Sequence, residues 1–402
     1  MEKKKRKQEF RKRDKLSKAI GLFNDSYPPV MDGVAMTTYN YAYWMSKKGE
    51  NIKVITPKTS TQVFDEDFEV LRYASLPLFS RKPYRFGMPY VDIQFLNKLF
   101  FKSKFKLVHA HCPFSSGYMA LYISRIQKIP LVATFHSKYR DDFERAMKSR
   151  KAATAILKTV MPFFDWADEV WIPQASVEDT IREYGYKGKV EVVNNGTDLT
   201  PDEPIEKVKS AAREKLGISK TDMVFLFVGQ HIWEKNIAII IQALDLLRDM
   251  SYRMYFVGTG YAAEEMRQMV KARNLEYKIF FTGSVYDREQ LKNLYAAADL
   301  FLFPSIYDNA PLVVREAAAL HTPSVVTAGS STSEIITDNV NGFLTENSPE
   351  ALAEKIRSIS ENKEIISIVG ENASKTIARS WESIAEEVLD RYNHLIARKS
   401  QK

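Results

Sequence analysis

Short apolar runs recur along the chain, each followed by a turn-rich stretch and then a segment whose apolar positions are spaced as in a helix. Runs of this kind read as strands buried on both faces of a parallel sheet, and their alternation with helices reads as repeated βα units. In the first half the predicted strands are Ala19–Phe23, Ile52–Thr56, Leu107–His111, Leu131–Phe135, Glu169–Ile172 and Val190–Val193. Helices are predicted over Val34–Met45, from Gly117 to about Ile126, and over Val177–Tyr184, with Lys47, Lys48 and Gly49 closing the first in the expected C-terminal places. A polar linker around Thr200–Pro204 separates a second series. Its strands are Met223–Val228, Met254–Val257, Ile279–Phe281, Leu300–Phe303 and Ser324–Val326, with a weaker signal at Gly342–Leu344. Helices are expected over Ile237–Asp249, Asp287–Ala297 and Leu312–Leu320, then two more, then a last one over Trp381–Ala397.

A length of 402 residues accommodates two domains with separate cores. One cysteine, Cys112, excludes a disulfide framework and fits a reducing cytosol. No apolar run approaches the ~20 residues of a membrane span, and the charged N-terminus lacks an apolar segment behind it, so a secretory signal is not expected. The expected location is cytoplasmic, including the inner face of the cell membrane. Charge is placed unevenly: residues 1–200 carry 34 Lys and Arg against 22 Asp and Glu, whereas residues 201–402 carry 24 against 28. The first half therefore suits an anionic partner. Residues 1–18 alone hold ten basic and three acidic groups and read as a solvated basic tail.

The chemistry concentrates in Phe301–Val326, FLFPSIYDNAPLVVREAAALHTPSVV. The strand ends at Pro304-Ser305, a polar loop carries Asp308, and Pro311 fits the first turn of the next helix. Glu316 lies about a turn further in. Two carboxylates and a set of free helix-start N–H groups are then expected above the carboxyl ends of parallel strands. Open α/β sheets bind ligands there, and free helix-start N–H groups suit a phosphate. No His/Cys cluster or paired acids with metal spacing occur, so no metal is implied.

In this frame the segment resembles the donor signature of the family 4 (group 1) retaining glycosyltransferases, with Pro304, Ser305, Pro311, Glu316 and Ala317 in register and Asp308 at a position usually Glu. Further resemblances follow in order: MDGVA with Asp32 and Gly33, His109-Ala110-His111, ATFHS with His136, NNGTD at 194–198, GQHIWEKN with Gln230 and Lys235, VGTG with Gly260, and FTGSV with Val285. The resemblance implies an α/β chain of GT-B fold, two Rossmann-like domains facing a central cleft with a C-terminal crossover helix. The implied boundaries are the tail 1–18, an acceptor domain 19–200, a nucleotide-sugar domain 201–380 and a crossover helix 381–402. It implies a hexosyltransferase using a nucleotide-diphosphate sugar as co-substrate, a UDP-sugar preferred to a GDP-sugar, and no cofactor. By the same resemblance His111 and Asp308 lie at the transfer centre. Gly33, Gln230, Lys235, Gly260, Val285, Asn309, Ala310, Pro311, Leu312 and Glu316 would bind the donor, with Glu316 on the ribose hydroxyls, and Asp32 and His136 would lie by the acceptor. Gln230 stands where the family has an Arg, which removes one charge-assisted contact to the diphosphate, worth ~1.5–3 kcal/mol.

The acceptor is left between a lipid such as diacylglycerol and a soluble glycan. Residues 81–106 interleave basic groups with Tyr, Phe and Leu; a helix over Val91–Phe101 would run into Lys102, Lys104 and Lys106. One reading is an amphipathic core helix with a basic end. The other is a surface for an anionic membrane, where each nearby cation is worth ~1 kcal/mol. A second basic run spans Lys138–Lys158. An epimerase of the same fold and a nucleic-acid binder are the competing readings; the sequence contains no nucleic-acid recognition module, and no nucleic acid is expected as partner.

Overall fold

A computed structural model describes residues 17–59, 67–78, 84–219 and 221–401. Most of the basic tail and Arg81–Pro83 of the basic-aromatic segment therefore lie outside the described residues. Contacts divide the chain into two units, 1–195 with 381–402, and 196–380.

In the first unit the apolar runs become β1 (Ala19–Phe23), β2 (Ile52–Pro57), β3 (Glu69–Tyr73), β6 (Phe105–Ala110), β7 (Leu131–Thr134), β8 (Glu169–Ile172) and β9 (Val190–Val192). A small antiparallel hairpin, β4 (Ser75–Pro77) with β5 (Arg85–Gly87), stands apart. The seven main strands pair in parallel in the order β3-β2-β1-β6-β7-β8-β9. β1 is buried at every position, as a strand covered by helices on both faces must be. The order reverses direction between β1 and β6, which opens a crevice at their carboxyl ends.

Helix Gly33–Lys47 begins with Asp32 as its cap, whose Oδ1 accepts from the Ala35 N–H at 2.7 Å. The last helix, Trp381–Ser400, buries Trp381, Ile384, Ala385, Val388, Tyr392 and Leu395, one apolar stripe at helical spacing. That stripe packs on helix Gly33–Lys47 and on β6. Tyr392 stacks on Trp171 with ring centroids 5.5 Å apart and donates or accepts a 2.6 Å hydrogen bond with His109 Nδ1.

The second unit holds β10 (Met223–Val228), β11 (Tyr252–Val257), β12 (Ile279–Gly283), β13 (Leu300–Phe303), β14 (Ser324–Thr327) and β15 (Phe343–Thr345). They form one parallel sheet ordered β12-β11-β10-β13-β14-β15, again reversing, here between β10 and β13. Its helices start on side-chain caps where the sequence supplies them. Asp287 accepts from Glu289 and Gln290, and Ser348 accepts from Ala351 ahead of Pro349.

Three segments singled out in the sequence take forms not expected from it. The basic run Lys138–Lys158 is two helices, Tyr139–Met147 and Arg150–Val160, anchored by Tyr139, Ala153 and Leu157. The segment expected as one helix over Val91–Phe101 is broken: Asp92 caps a short helix Ile93–Asn97, which widens into a π-helical turn Lys98–Lys102. Pro311 sits at the cap of helix Leu312–Ala319 with extended ψ, one place before the first turn.

Candidate active site

The reversal in the second sheet decides which loops meet. β10 leads into Gly229–Asn236 and β13 into Pro304–Pro311, so neighbouring strands deliver Lys235 and Asp308 to one point. Lys235 Nζ donates to both carboxylate oxygens of Asp308 at 2.7 Å and lies 5.2 Å from the Phe303 ring centre. The Ser305 hydroxyl donates to Asp308 Oδ2 at 2.6 Å. Asn236, in the left-handed region at φ 61°, donates from Nδ2 to the Pro304 carbonyl and to Asn347 Oδ1. The two loops are thereby clipped together.

Helix Leu312–Ala319 rises directly behind this cluster, and its cap residue, Pro311, makes no side-chain hydrogen bond to it, unlike Asp32, Asp287 and Ser348 at their helices. Its first turn presents backbone N–H groups and the positive end of a helix dipole. Asn309 and Pro311 are buried, while Ala310 and Leu312 are half-buried.

Glu316 belongs to a different cluster. Its Oε1 accepts from Arg288 at 3.0 Å and its Oε2 from the Tyr295 hydroxyl at 2.8 Å. Arg288 also pairs with Asp198 through two nitrogens. Burial alone would weaken the Arg288 cation, but Glu316 and Asp198 hold it charged above its ordinary range. Burial, with Glu316 beside it, pushes the Tyr295 hydroxyl well above its ordinary value, so Tyr295 remains a donor. Sequence reasoning named Glu316 but missed Arg288 and Tyr295; Arg288 follows the capping Asp287, a signal of helix start and nothing more.

Beside Lys235, the Gly229–His231 turn rests on the Gly258–Gly260 turn. The His231 N–H donates to the Thr259 carbonyl and the Ala262 N–H to the His231 carbonyl. A Cβ on Gly258 would stand 1.9 Å from the Gly229 carbonyl oxygen, and one on Gly260 would stand 2.2 Å from that of His231. Only glycine allows that approach, at Gly258 with φ +130° as well. The Gln230 side chain is exposed and makes no hydrogen bond among the described residues. Val285, after β12, is half-buried against the core.

In the first unit the reversal lies between β1 and β6, and the His111 N–H donates to the Phe23 carbonyl there at 2.8 Å. His109, His111 and His136 stack, with His109–His111 centroids 4.1 Å and His111–His136 centroids 5.4 Å apart. His111 Nδ1 lies 3.1 Å from His136 Nε2, while His111 Nε2 is buried without a hydrogen-bond partner among the described residues. His109 is tied off inward by Tyr392 and by Thr134 Oγ1 at 2.6 Å. At the same strand ends Asp25, which sequence reasoning passed over, accepts from Tyr73, from Cys112 Sγ at 3.1 Å and from the Ser116 N–H at 3.2 Å. Burial raises its carboxyl above the ordinary value despite those donors. Both carboxylate oxygens of Asp32 are engaged, Oδ2 by the Ser26 hydroxyl at 2.5 Å, and Gly33 starts the helix exposed.

The histidines set a pH dependence. Burial holds His109 and His111 well below 6.5, His136 at about 3, and His231 at about 4. An unfolded histidine protonates near pH 6.5. Below that pH the unfolded chain takes up protons that the folded chain refuses, so stability falls as pH falls. The slope is about 1.4 kcal/mol per pH unit for each such histidine. It persists down to about pH 4 for His231 and about pH 3 for His136. Urea midpoints are expected to be flat above neutrality and to drop steeply below pH 6.5, less steeply in His136→Asn. A flat midpoint between pH 6.5 and 5 contradicts neutral buried histidines.

Two parallel sheets that each reverse at a crevice, with a cation and carboxylate at one and a neutral histidine stack at the other, make up a glycosyltransferase of GT-B fold. Residues 31–201 match the description Glycosyltransferase Family 4, and residues 208–376 match Glycosyl transferases group 1. The chain belongs to the family 4 (group 1) glycosyltransferases. It is 25% identical over 402 residues to an alpha-monoglucosyldiacylglycerol synthase of Acholeplasma laidlawii, covering 94% of this chain and 100% of that protein. The protein of the same name from Streptococcus pneumoniae is 26% identical over 332 residues, 81% of this chain and 74% of that one. Among solved structures, Anabaena HepE in complex with UDP and glucose superposes with a TM-score of 0.76 at 18% identity, covering 94% of this chain and all of that one.

The exposed Gln230 offers a direct probe. Gln230→Arg has solvent to grow into and is expected to tighten UDP binding about tenfold, the value of one charge-assisted hydrogen bond of ~1.5 kcal/mol. Weaker UDP binding by calorimetry would show that the Gly229–Lys235 turn serves the donor differently.

Proposed function

We propose that the enzyme transfers a hexose from a UDP-sugar to the hydroxyl of diacylglycerol, with retention, at the cytoplasmic membrane face. The reading rests on one observation above all: the first unit carries exposed apolar groups next to its basic ones. Leu76 and Phe86 face each other across the β4–β5 hairpin at 53% and 58% exposure, and Tyr90, Val91, Ile93 and Phe101 are exposed on the segment that follows. Phe95 and Leu99 are buried in the core, so this segment packs with one side and presents the other. Lys98, Lys102 and Lys104 lie among the exposed groups, whereas Lys106 pairs with Glu50 at 2.6 Å. A cluster of exposed apolar groups rimmed by polar ones marks an interaction surface on a soluble protein. The two synthases named above act in diacylglycerol glucosylation by name, which supports the same acceptor. No helix among the described residues is long and apolar enough to cross a membrane, so attachment would be peripheral.

In this reading Lys235 and the start of helix Leu312–Ala319 stabilise the leaving diphosphate electrostatically. Asp308 turns from Lys235 to hydroxyls of the donor sugar, and Glu316, oriented by Arg288 and Tyr295, accepts from the ribose hydroxyls. His111, whose Nε2 has no hydrogen-bond partner among the described residues, is assigned to the transfer centre by the family resemblance. The acceptor attacks from the side the nucleotide leaves, and its proton passes to a departing phosphate oxygen, so no protein nucleophile is needed. No group of three or more His, Cys, Asp or Glu that could hold a metal occurs among the described residues.

Vesicle sedimentation tests the membrane part. Binding should rise with anionic lipid, weaken as salt shortens the Debye length to ~8 Å and below, and drop in Lys102→Glu/Lys104→Glu. No sedimentation with anionic vesicles at low salt would leave a soluble glycan as the better acceptor.

A further inference from the structure

At the opposite end of the first sheet from His111 lies a second charged feature that transfer does not use. Lys53, near the start of β2, and Glu69, the first residue of β3, are register partners. A groove of about 470 Å³ opens there, lined by these two and by Gln94, Asn97, Lys98 and Lys102. Its wall is the π-helical turn Lys98–Lys102. Such turns are rare and concentrate at functional positions, and this one puts both of its terminal lysines on the groove.

Among the described residues that line the groove, ammonium groups outnumber carboxylates. Glu69 is the one carboxylate among the lining residues and faces three ammonium groups. It pairs with Lys53 and, at 2.6 Å, with Lys98. Lys53 is 6% exposed and its pair with Glu69 is buried with it. Lys98 stands half in solvent, and Lys102 has no carboxylate within 4.0 Å among the described residues. Two mobile ammonium groups beside the Gln94 and Asn97 amides suit a compact, multiply accepting anion, and lysine is a point-charge binder of phosphate. Ile93 and Phe101, each 77% exposed, flank the same turn. An anion groove edged by apolar side chains matches a phosphate whose hydrocarbon lies outside the groove.

We propose that this groove is a binding site for a phosphate-bearing anion, occupied by the headgroup of an anionic lipid and separate from the acceptor. The lipid source rests on the membrane reading above; the phosphate chemistry does not. A soluble phosphate ester shares that chemistry, and the test separates the two sources.

The full chain and Lys98→Gln/Lys102→Gln are compared in two arms. In the first, vesicles of phosphatidylcholine contain either phosphatidylglycerol or an equal fraction of cholesteryl hemisuccinate, which supplies the same charge as carboxylate. The wild type is expected to prefer phosphatidylglycerol roughly tenfold, the effect of one additional charge-assisted hydrogen bond to the phosphate, and the variant to bind both alike. In the second arm glycerol 3-phosphate, at ionic strength matched with chloride, raises the thermal midpoint of the wild type and not of the variant. Stabilisation by glycerol 3-phosphate without a phospholipid preference keeps the site and assigns it a soluble ester. If the wild type binds neither anionic vesicle, the membrane reading fails and the second arm alone decides the groove. No preference and no stabilisation, or a variant that behaves as the wild type in both arms, overturns the proposal.

Discussion

Lys235→Met is expected to lower kcat/KM for sugar transfer by at least about 10²–10³-fold, the usual cost of removing one preorganised group that stabilises transition-state charge. Lys235 is 8% exposed and holds both oxygens of Asp308, so it is a desolvated cation placed before any ligand arrives. In such a setting its field is screened far less than on a surface. The substitution also leaves Asp308 with the Ser305 hydroxyl alone. The stability cost should be about 1–3 kcal/mol rather than the full penalty of a buried orphan charge, because the Asp308 side chain keeps 19% exposure. Asp308→Asn separates the roles: the cation stays, the diphosphate is still bound, and the loss falls on kcat. Near-normal kcat/KM in Lys235→Met with normal melting would remove Lys235 from the donor site.

Glu316 carries the second large effect, and the structure changes how it must be probed. From the sequence alone Glu316 reads as a donor-binding carboxylate whose truncation to Ala would cost turnover and leave the fold intact. In the structure Glu316 accepts from Tyr295, whose hydroxyl is fully buried, and from Arg288. Truncation to Ala would strand that hydroxyl at a cost of about 1–3 kcal/mol, several degrees of melting temperature for a domain of this size. Glu316→Gln keeps an acceptor for Tyr295 and removes only the charge. It is expected to lower kcat/KM about 10–100-fold, mainly through KM for the nucleotide sugar, with melting changed little. If UDP affinity is unchanged in Glu316→Gln and only melting moves, Glu316 is a packing anchor for Arg288 and Tyr295.

Much of this arrangement was legible because parallel sheets leave a strong mark. β1, β8, β10 and β13 are continuous apolar runs and were expected at their observed bounds. Asp308 could be singled out because it follows such a run by a few residues, and Lys235 because GQHIWEKN matches the family frame. What stayed hidden depends on partners distant in the chain. The Glu316–Arg288–Tyr295 cluster joins positions 21 and 28 residues apart, and nothing local in TGSVYDREQ or KNLYAA announces it. Helices Tyr139–Met147, Ile205–Lys215 and Ala263–Ala272 were passed over since charge dominates their sequences and few apolar residues face the core. Tyr139, Phe143 and Met147 at i, i+4 and i+8 were the available signal. β3 and the β4–β5 hairpin escaped for another reason: they are short, half-exposed edge elements without a long apolar run.

The central claim is a chemical one, that a UDP-sugar and a membrane diacylglycerol meet on this chain. It is tested most directly by incubating the purified protein with radiolabelled UDP-glucose and vesicles containing phosphatidylglycerol and diacylglycerol, then separating the lipids. The account predicts label in a monohexosyl diacylglycerol with α linkage, lost in Lys235→Met and reduced when phosphatidylglycerol is replaced by neutral lipid. Label that appears only on a soluble glycan acceptor, with none in the lipid fraction, would contradict it.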